Sequence, residues 1–227
     1  MKALFSLTAG LVLFLIAPSL LAFNLLSYDG RNPVRWRAEA FPIAYEIQQS
    51  YPAIPGSADE AAIHAAFDSW AEISCGDVEF SFAGSTPGSE PVSGDGRNRV
   101  VFTTSGFLGS TGGAVGVTYS EYRMDSGGWF ILSADIAINA YSRWATTGDA
   151  DAMDLQSVVA HEVGHLLGVQ HTPVGAATMY YATNEGETGQ RTLHDDDSRS
   201  ICYLYPAGRF SCFSDLDCPT LERDDVD

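Results

Sequence analysis

The sequence predicts one domain of mixed α/β class, with several strands, one long helix among them and a second helix late in the chain. The 227 residues are 45% hydrophobic, which is ample for one core, although length alone would allow one domain or two. Apolar residues alternate with polar ones in short segments and recur every three to four positions in longer ones. The sequence contains no internal repeat.

Five segments have the pattern of strands. In FPIAYEI (41–47), apolar and other residues alternate as in a half-buried strand, and VEFSF (78–82) repeats this pattern. RVVFTT (99–104) and FILSADIAIN (130–139) are further apolar strands. GGAVGVTYS (112–120) is strand-like but rich in glycine, which is typical of a bulged edge strand or of a place where another backbone approaches closely.

Helical periodicity appears in three places. A capping-box pattern at Ser57 and Glu60 precedes an apolar stripe, and Asp154–Leu167 and a segment from Asp195 to before Pro206 also have helical spacing. The expected inward-facing residues are Ile63, Phe67, Trp70 and Ile73 in the first helix, Leu155, Val158, Val159, Val163 and Leu166 in the second, and Ile201, Leu204 and Tyr205 in the third.

The first 22 residues have the pattern of an export signal. Lys2 is followed by an almost wholly apolar run, and Ala22 suits a cleavage site. A membrane anchor is the alternative, but the run is shorter than the ~20 residues that a spanning helix needs. We therefore expect a secreted protein, extracellular or periplasmic, with no stable membrane insertion after cleavage.

The remaining chain divides into a main domain at 23–207, which begins with an extended leader at 23–35, and an acidic tail at 208–227. Lys2 is the only lysine, so cleavage takes the net charge from -17 to -18. Such a charge disfavours nucleic acid as a partner, and we expect a monomer.

Four cysteines in an exported chain suggest two disulfides, for which three pairings exist. Cys212 and Cys218 lie close together in the tail, which favours a local bridge between them. Cys75 then pairs with Cys202 by elimination. The alternative is that some of the thiols stay free.

The stretch HEVGHLLGVQH (161–171) holds three of the five histidines. Residues four apart share a helix face, so His161 and His165 can bind one metal ion. Gly168 can end the helix in a left-handed conformation and so return His171 to the same ion. Three neutral histidines leave one position open for water, which is typical of a catalytic zinc site, and Glu162 is placed to touch that water. A helix that needed only burial would have aliphatic residues instead.

These residues match the motif HExxHxxGxxH, and the chain resembles the matrixin family of metzincin metallopeptidases. GAATMYY places Met179 at the matrixin interval after His171, and RTLHDDDSRSICYLYP resembles the closing helix of matrixins. VRW, FPIAYEI, AAFDSW and ADIAIN occur upstream in matrixin order, so the likeness covers about residues 34–206.

The resemblance implies a metzincin-like catalytic domain: a twisted mixed sheet of about five strands with an active-site helix, a backing helix and a C-terminal helix. It also implies one catalytic Zn²⁺, Glu162 as general base and acid, and a protein or peptide substrate lying antiparallel to the strand near 113–118. Met179 would form an apolar floor beneath the ligands. Tyr181 would be a wall of the specificity pocket, or a transition-state contact as in astacin-like and serralysin-like enzymes.

The chain also departs from vertebrate-type matrixins. Only His64 and His194 remain outside the motif, so we expect no second zinc site of the histidine type, and the leader is too short for a cysteine-switch prodomain. Asp149, Asp151 and Asp154 have ligand chemistry for Ca²⁺, but an acidic helix start, which the helix dipole stabilises, is the explanation that we favour.

Asp29 could occupy the open zinc position, as in bacterial matrixins with short leaders, or form a turn with Gly30. Two other functions stay open besides a peptidase. A secreted zinc-binding adhesin or inactive homologue is one, although it would have no use for Glu162, and a hydrolase of non-peptide amides is the other.

Overall fold

The structure, a computed structural model, describes residues 22–28, 30, 32–49, 58–104 and 113–208. Most of the expected export signal, Asp29 and the expected Cys212–Cys218 bridge lie outside these residues. The strands are β1 (Asn24–Leu25), β2 (Ile43–Gln48), β3 (Phe80–Thr86), β4 (Arg99–Thr103), β5 (Gly116–Asp125), β6 (Gly128–Asn139), β7 (Trp144–Ala145), β8 (Met153–Asp154) and β9 (Val169–Gln170). The helices are α1 (Ala58–Ala71), α2 (Leu155–Leu166) and α3 (Asp195–Leu204), with 3₁₀ turns at Ala38–Ala40 and Gly189–Arg191.

The central sheet has five strands in the order β3-β2-β4-β6-β5, with β5 at one edge. All neighbours are parallel except β5, which runs antiparallel to β6. Two-stranded sheets join β1 to β9 and β7 to β8. The predicted mixed sheet of about five strands with three helices is confirmed.

The glycine-rich strand begins later and runs further than its sequence indicates. It starts at Gly116 and continues to Asp125, because it forms a long hairpin with β6 that closes at the pair Asp125 and Gly128. The residues after Ser120 are mostly polar, so hydrophobic alternation does not reveal this part of the strand. Pairing with β6 satisfies its backbone groups on one side.

Helices α1 and α2 pack together, and their predicted inward faces are confirmed. All four stripe residues of α1 and the following loop are buried, as are the five expected residues of α2. The indole Nε1 of Trp70 donates to the carbonyl oxygen of Ala160 at 2.8 Å, which fixes α1 against the middle of α2. No helix among the described residues is long and apolar enough to cross a membrane.

Side chains from distant parts of the chain donate to carbonyl oxygens at the C-terminal end of α2. Trp36 Nε1 donates to Leu166 O at 2.8 Å, and the Tyr205 hydroxyl donates to Leu167 O at 2.7 Å. Gly168 then adopts φ +92°, and a Cβ there would lie 2.5 Å from Val34 O. Glycine is therefore required at this position for two reasons: its positive φ, and the close contact with the carbonyl oxygen of Val34.

A disulfide joins Cys75, just after α1, to Cys202 in α3, with 5.2 Å between their Cα atoms. The bridge spans 127 positions of sequence and connects the loop after α1 to α3. It is the pairing that the sequence indicates.

Candidate metal centre

Three imidazole rings converge at the C-terminal half of α2. His161 and His165 lie one turn apart on the helix, and His171 follows β9 after the turn at Gly168. The Nε2 atom of His171 lies 3.1 Å from Nε2 of His161 and 3.2 Å from Nε2 of His165. Within the described ranges, this is the only group of three or more His, Cys, Asp or Glu side chains arranged to hold a metal ion.

The donor set fits tetrahedral zinc. Zinc–nitrogen bonds of ~2.0–2.1 Å at tetrahedral angles place two ligand nitrogens about 3.3 Å apart, close to the separations found here. The Nδ1 atoms of His161 and His165 lie 2.7 Å from Thr178 O and 2.8 Å from Val169 O, respectively. A carbonyl oxygen can only accept, so both Nδ1 atoms carry the proton and both Nε2 atoms offer a lone pair.

Burial keeps these rings neutral. It lowers the pKa of His161 to about 4 and the pKa of His165 to about 3, and it also lowers the pKa of His171. Neutral imidazole is the form that binds a metal ion. Three neutral imidazoles with Nε2 atoms this close together can offer three lone pairs to one cation.

Glu162 lies beside the histidines, with only 4% of its surface exposed. The Thr118 hydroxyl lies 2.7 Å from Glu162 Oε2 and 2.9 Å from Glu162 O, so one proton is shared between two acceptors. Burial raises the pKa of Glu162 to about 7, against the opposing effect of hydrogen bonds from Thr118. A carboxyl group with this pKa can both take up and release a proton near neutral pH.

The carboxylate of Glu162 packs against the edge strand β5 at Gly116. A Cβ on Gly116 would lie 2.6 Å from Oε1, 2.9 Å from Cγ and 3.0 Å from Cδ of Glu162. A glycine of β5 therefore does mark a close approach by another part of the chain, as the sequence analysis suggested. The group that approaches is the side chain of Glu162 and not another backbone. The contribution of Thr118 was not predicted, because no local pattern links it to a glutamate 44 residues away.

The turn around Met179 packs against α2 and contacts the ring of His161 through Thr178 O. Met179 is buried, and a Cβ on Gly164 of α2 would lie 2.2 Å from its Sδ, so the thioether packs flat against the helix. The buried carboxylate of Asp197 accepts from Thr178 N at 2.8 Å and from Met179 N at 3.1 Å. Asp197 thus ties this turn to α3, a role that sequence reasoning did not identify.

The sequence profile of the matrixin family matches residues 35–206, which is most of the chain. The chain belongs to the matrixin family. It is 38% identical to metalloendoproteinase 2-MMP of Arabidopsis thaliana over 82 residues, which cover 33% of this chain and 21% of that protein.

Two further relatives extend the comparison. Matrix metalloproteinase-18 of Xenopus laevis is 27% identical over 175 residues, which cover 72% of this chain and 32% of that protein. Karilysin of Tannerella forsythia is 41% identical over 63 residues, covering 27% of this chain and 12% of that protein. The chain thus spans a third or less of the length of these relatives.

In this matrixin, an open cleft of about 1090 Å³ runs past the histidines between β5 and the turn that follows Met179. Its lining includes Val117, Thr118 and Tyr122 of β5, and Tyr180 and Tyr181 from the turn after Met179. Tyr181 is 66% exposed, and its ring centroid lies 6.5 Å from that of His171. It therefore occupies the cleft wall close to the third histidine.

The three aspartates before α2 do not converge on one point. Asp154 caps α2 by accepting from Ser157 N at 2.9 Å, and it also pairs with Arg191. Asp151 pairs with Arg143. Asp149 accepts from the Thr147 hydroxyl at 2.6 Å. Of the three aspartates, only Asp154 therefore caps α2.

The two histidines outside the motif have other partners. His64 of α1 contacts the Tyr45 hydroxyl through Nδ1 and Glu60 through Nε2. His194 caps α3, where its Nδ1 accepts from Asp196 N at 3.1 Å. Each side chain is thus engaged in the local structure of its own helix.

Proposed function

We propose that this matrixin is an exported, zinc-dependent endopeptidase that hydrolyses peptide bonds within extended protein segments. The observation that carries the proposal is the juxtaposition of three converging Nε2 atoms and one buried carboxylate at an open cleft. Export rests on the signal pattern of the first 22 residues.

His161, His165 and His171 would hold the zinc ion through Nε2. When bound, zinc supplies Lewis acidity, which lowers the pKa of water and stabilises negative charge on a carbonyl oxygen. The backbone carbonyls that accept from Nδ1 of His161 and His165 fix the orientation of those two rings. Met179 excludes water from behind the ligands because it is buried against α2.

Glu162 is the group that moves the proton. Its carboxylate accepts a proton from the attacking water and then releases that proton to the amine of the departing product. Thr118 holds Oε2 through its hydroxyl, so Oε1 is the oxygen that is free to face the reacting water. The missing side chain of Gly116 leaves the room that this carboxylate occupies.

The substrate would bind by strand addition. Among the described strands β5 pairs only with β6, and residues of β5 line the cleft. An extended peptide lying antiparallel to β5 would gain main-chain hydrogen bonds there with little dependence on sequence. Tyr181 stands across the cleft from β5, where it is placed to contact a substrate side chain.

The test is cleavage of casein and of an internally quenched peptide by the purified protein. We expect activity that is lost with a zinc chelator and returns when about one equivalent of Zn²⁺ is added. Glu162→Gln should bind zinc normally but cleave several orders of magnitude more slowly, because the ligands remain while the base is gone. His171→Ala should release the metal.

Different outcomes would point elsewhere. Tight zinc binding without cleavage of any protein or peptide would support a binding protein, whereas activity confined to small amides would support a different hydrolase. Export is tested separately by the N-terminal sequence of protein recovered outside the producing cell. A start near Phe23 is expected, and an intact first residue would overturn export by this signal.

A further inference from the structure

The leader lies against the short segment that carries the third histidine. Asn24 pairs with Gln170 and Leu25 pairs with Val169 in the antiparallel sheet of β1 and β9. Leu26 N also donates to Gly168 O at 3.0 Å. The leader therefore follows the chain along the whole stretch from the end of α2 to His171.

Side chains add two bonds at the far end of this contact. Asn24 Nδ2 donates to the carbonyl oxygen of His171 at 2.8 Å. The Thr172 hydroxyl donates to Ala22 O at 3.2 Å, a bond that the expected cleavage after Ala22 would remove. Of these two bonds, only the one from Asn24 is made to the main chain of His171, the third proposed zinc ligand. It lies outside the cleft, so it need not interfere with a substrate.

His171 depends on such support more than the other two ligands do. His161 and His165 are held by α2, and each ring donates through Nδ1 to a backbone carbonyl. In the described part of the chain no hydrogen bond partner is found for Nδ1 of His171, which stands outside the helix. Its ring position therefore follows from the position of its backbone.

Contacts with the rest of the domain hold the two ends of the segment. Val169 O contacts His165 Nδ1 at 2.8 Å, and Thr172 N donates to Met179 O at 3.0 Å beside the bridge between Thr172 and Tyr180. Between these two ends, the partner of the segment among the described strands is β1, and two-stranded sheets of this length have little stability of their own. Loss of one cross-strand bond should thus allow the segment to move.

We propose that Asn24 is a positioning residue for the third zinc ligand, and that the leader thereby preorganises the metal centre. In the absence of zinc, the bond from Asn24 holds His171 where its Nε2 already faces the other two. Without that bond, zinc must order the segment as it binds, which weakens affinity. The inference rests on the proposed zinc site but adds a segment that the HExxHxxGxxH motif does not contain.

The test compares the zinc dissociation constants of Asn24→Ala, Asn24→Leu and the unchanged chain by competition with a chromogenic zinc indicator. One hydrogen bond of about 1 kcal/mol corresponds to about a fivefold weaker constant. Leucine has the branched shape and the number of non-hydrogen side-chain atoms of asparagine but no amide, so both variants should weaken zinc binding similarly. Amide hydrogen exchange of residues 168–172 in the zinc-free protein should become faster in both.

Asn98→Ala is the matched control. Asn98 Nδ2 donates to Ala44 O at 2.8 Å, the same bond at the same length, but between strands of the central sheet. This control should lower the melting temperature more than the Asn24 variants, because Asn98 also accepts from Ala134 N inside the core. Its zinc constant and its exchange at 168–172 should stay unchanged.

The outcomes separate the two hypotheses. Failure of the unchanged chain to bind zinc would overturn the proposed zinc site itself. Tight binding by the unchanged chain with equal constants for both Asn24 variants would overturn the positioning role alone. Equal loss of zinc affinity in Asn98→Ala would also overturn it, since general destabilisation would then explain the effect.

Discussion

Gly116→Ala is the sharpest test of how the edge strand and the glutamate work together. The new methyl group would lie 2.6 Å from Oε1 of Glu162, whereas ordinary contact begins near 3.4 Å. The carboxylate must therefore move by about 0.8 Å, or β5 must move away from α2. Both adjustments displace Oε1 relative to the histidines.

A displacement of about 1 Å at a reacting group can cost about 10²-fold in rate. We therefore expect kcat/KM to fall about 10²-fold, or about 2.7 kcal/mol of transition-state stabilisation. Zinc content should stay at one equivalent, because no ligand contacts Gly116 directly. Backbone strain is not the cause, since Gly116 lies in a strand with ordinary φ.

The assay is steady-state cleavage of a quenched peptide, with metal analysis and a melting curve for each variant. Gly88→Ala is the control, because a Cβ there would meet only Thr86 Oγ1, at 3.8 Å. Glu162→Asp shortens the side chain by one methylene and removes the clash. Adding Gly116→Ala to Glu162→Asp should thus cost far less than adding it to the unchanged chain. A Gly116→Ala enzyme that keeps half of its kcat/KM would refute the reasoning.

Three further predictions follow from the same region and from the bridge between the helices. Thr118→Val removes a donor that favours the charged form of Glu162, so its pKa should rise. Since the proposed mechanism requires the ionised carboxylate, the acidic limb of the pH profile should move up by about one unit, and an unmoved limb would contradict this. Gly168→Ala places a side chain at φ +92° with a 2.5 Å contact, so the free energy of unfolding should fall by at least ~1–3 kcal/mol in urea titrations. Replacing Cys75 and Cys202 by alanine removes a cross-link between positions 127 residues apart. The free energy of unfolding should fall by ~5 kcal/mol, less any strain in the native bridge. An unchanged midpoint of urea unfolding would count against the bridge.

Periodic features of the fold were predictable because burial repeats along the sequence. The apolar spacing of α2 identified its inward face, and the start of α3 at Asp195 agrees with the expected one. The second half of β5 was not predictable in this way. Its side chains are mostly polar or exposed, so the strand exists because it pairs with β6 rather than because it buries one face.

Among the site residues, the sequence identifies those whose spacing is local. His161 and His165 are related by one helical turn, and Gly168 and His171 follow within the next six positions. A single segment therefore carries all three nitrogens. The partners that orient this segment come from elsewhere: Thr178 from the Met179 turn and Asn24 from the leader.

The histidines can be recognised from the sequence, whereas the groups that set the pKa of Glu162 cannot, and the difference has a physical cause. The spacing of His161, His165 and His171 requires only one helix and one turn, so it can be recognised from the sequence without knowledge of the fold. The pKa of Glu162 depends instead on burial beneath β5 and on a hydroxyl from that strand, neither of which has a sequence pattern of its own. Because β5 is also the strand against which substrate would lie, a peptide that docks there would contact the element that holds the base. In the proposed function, substrate binding and proton transfer would thus be joined through Gly116 and Thr118.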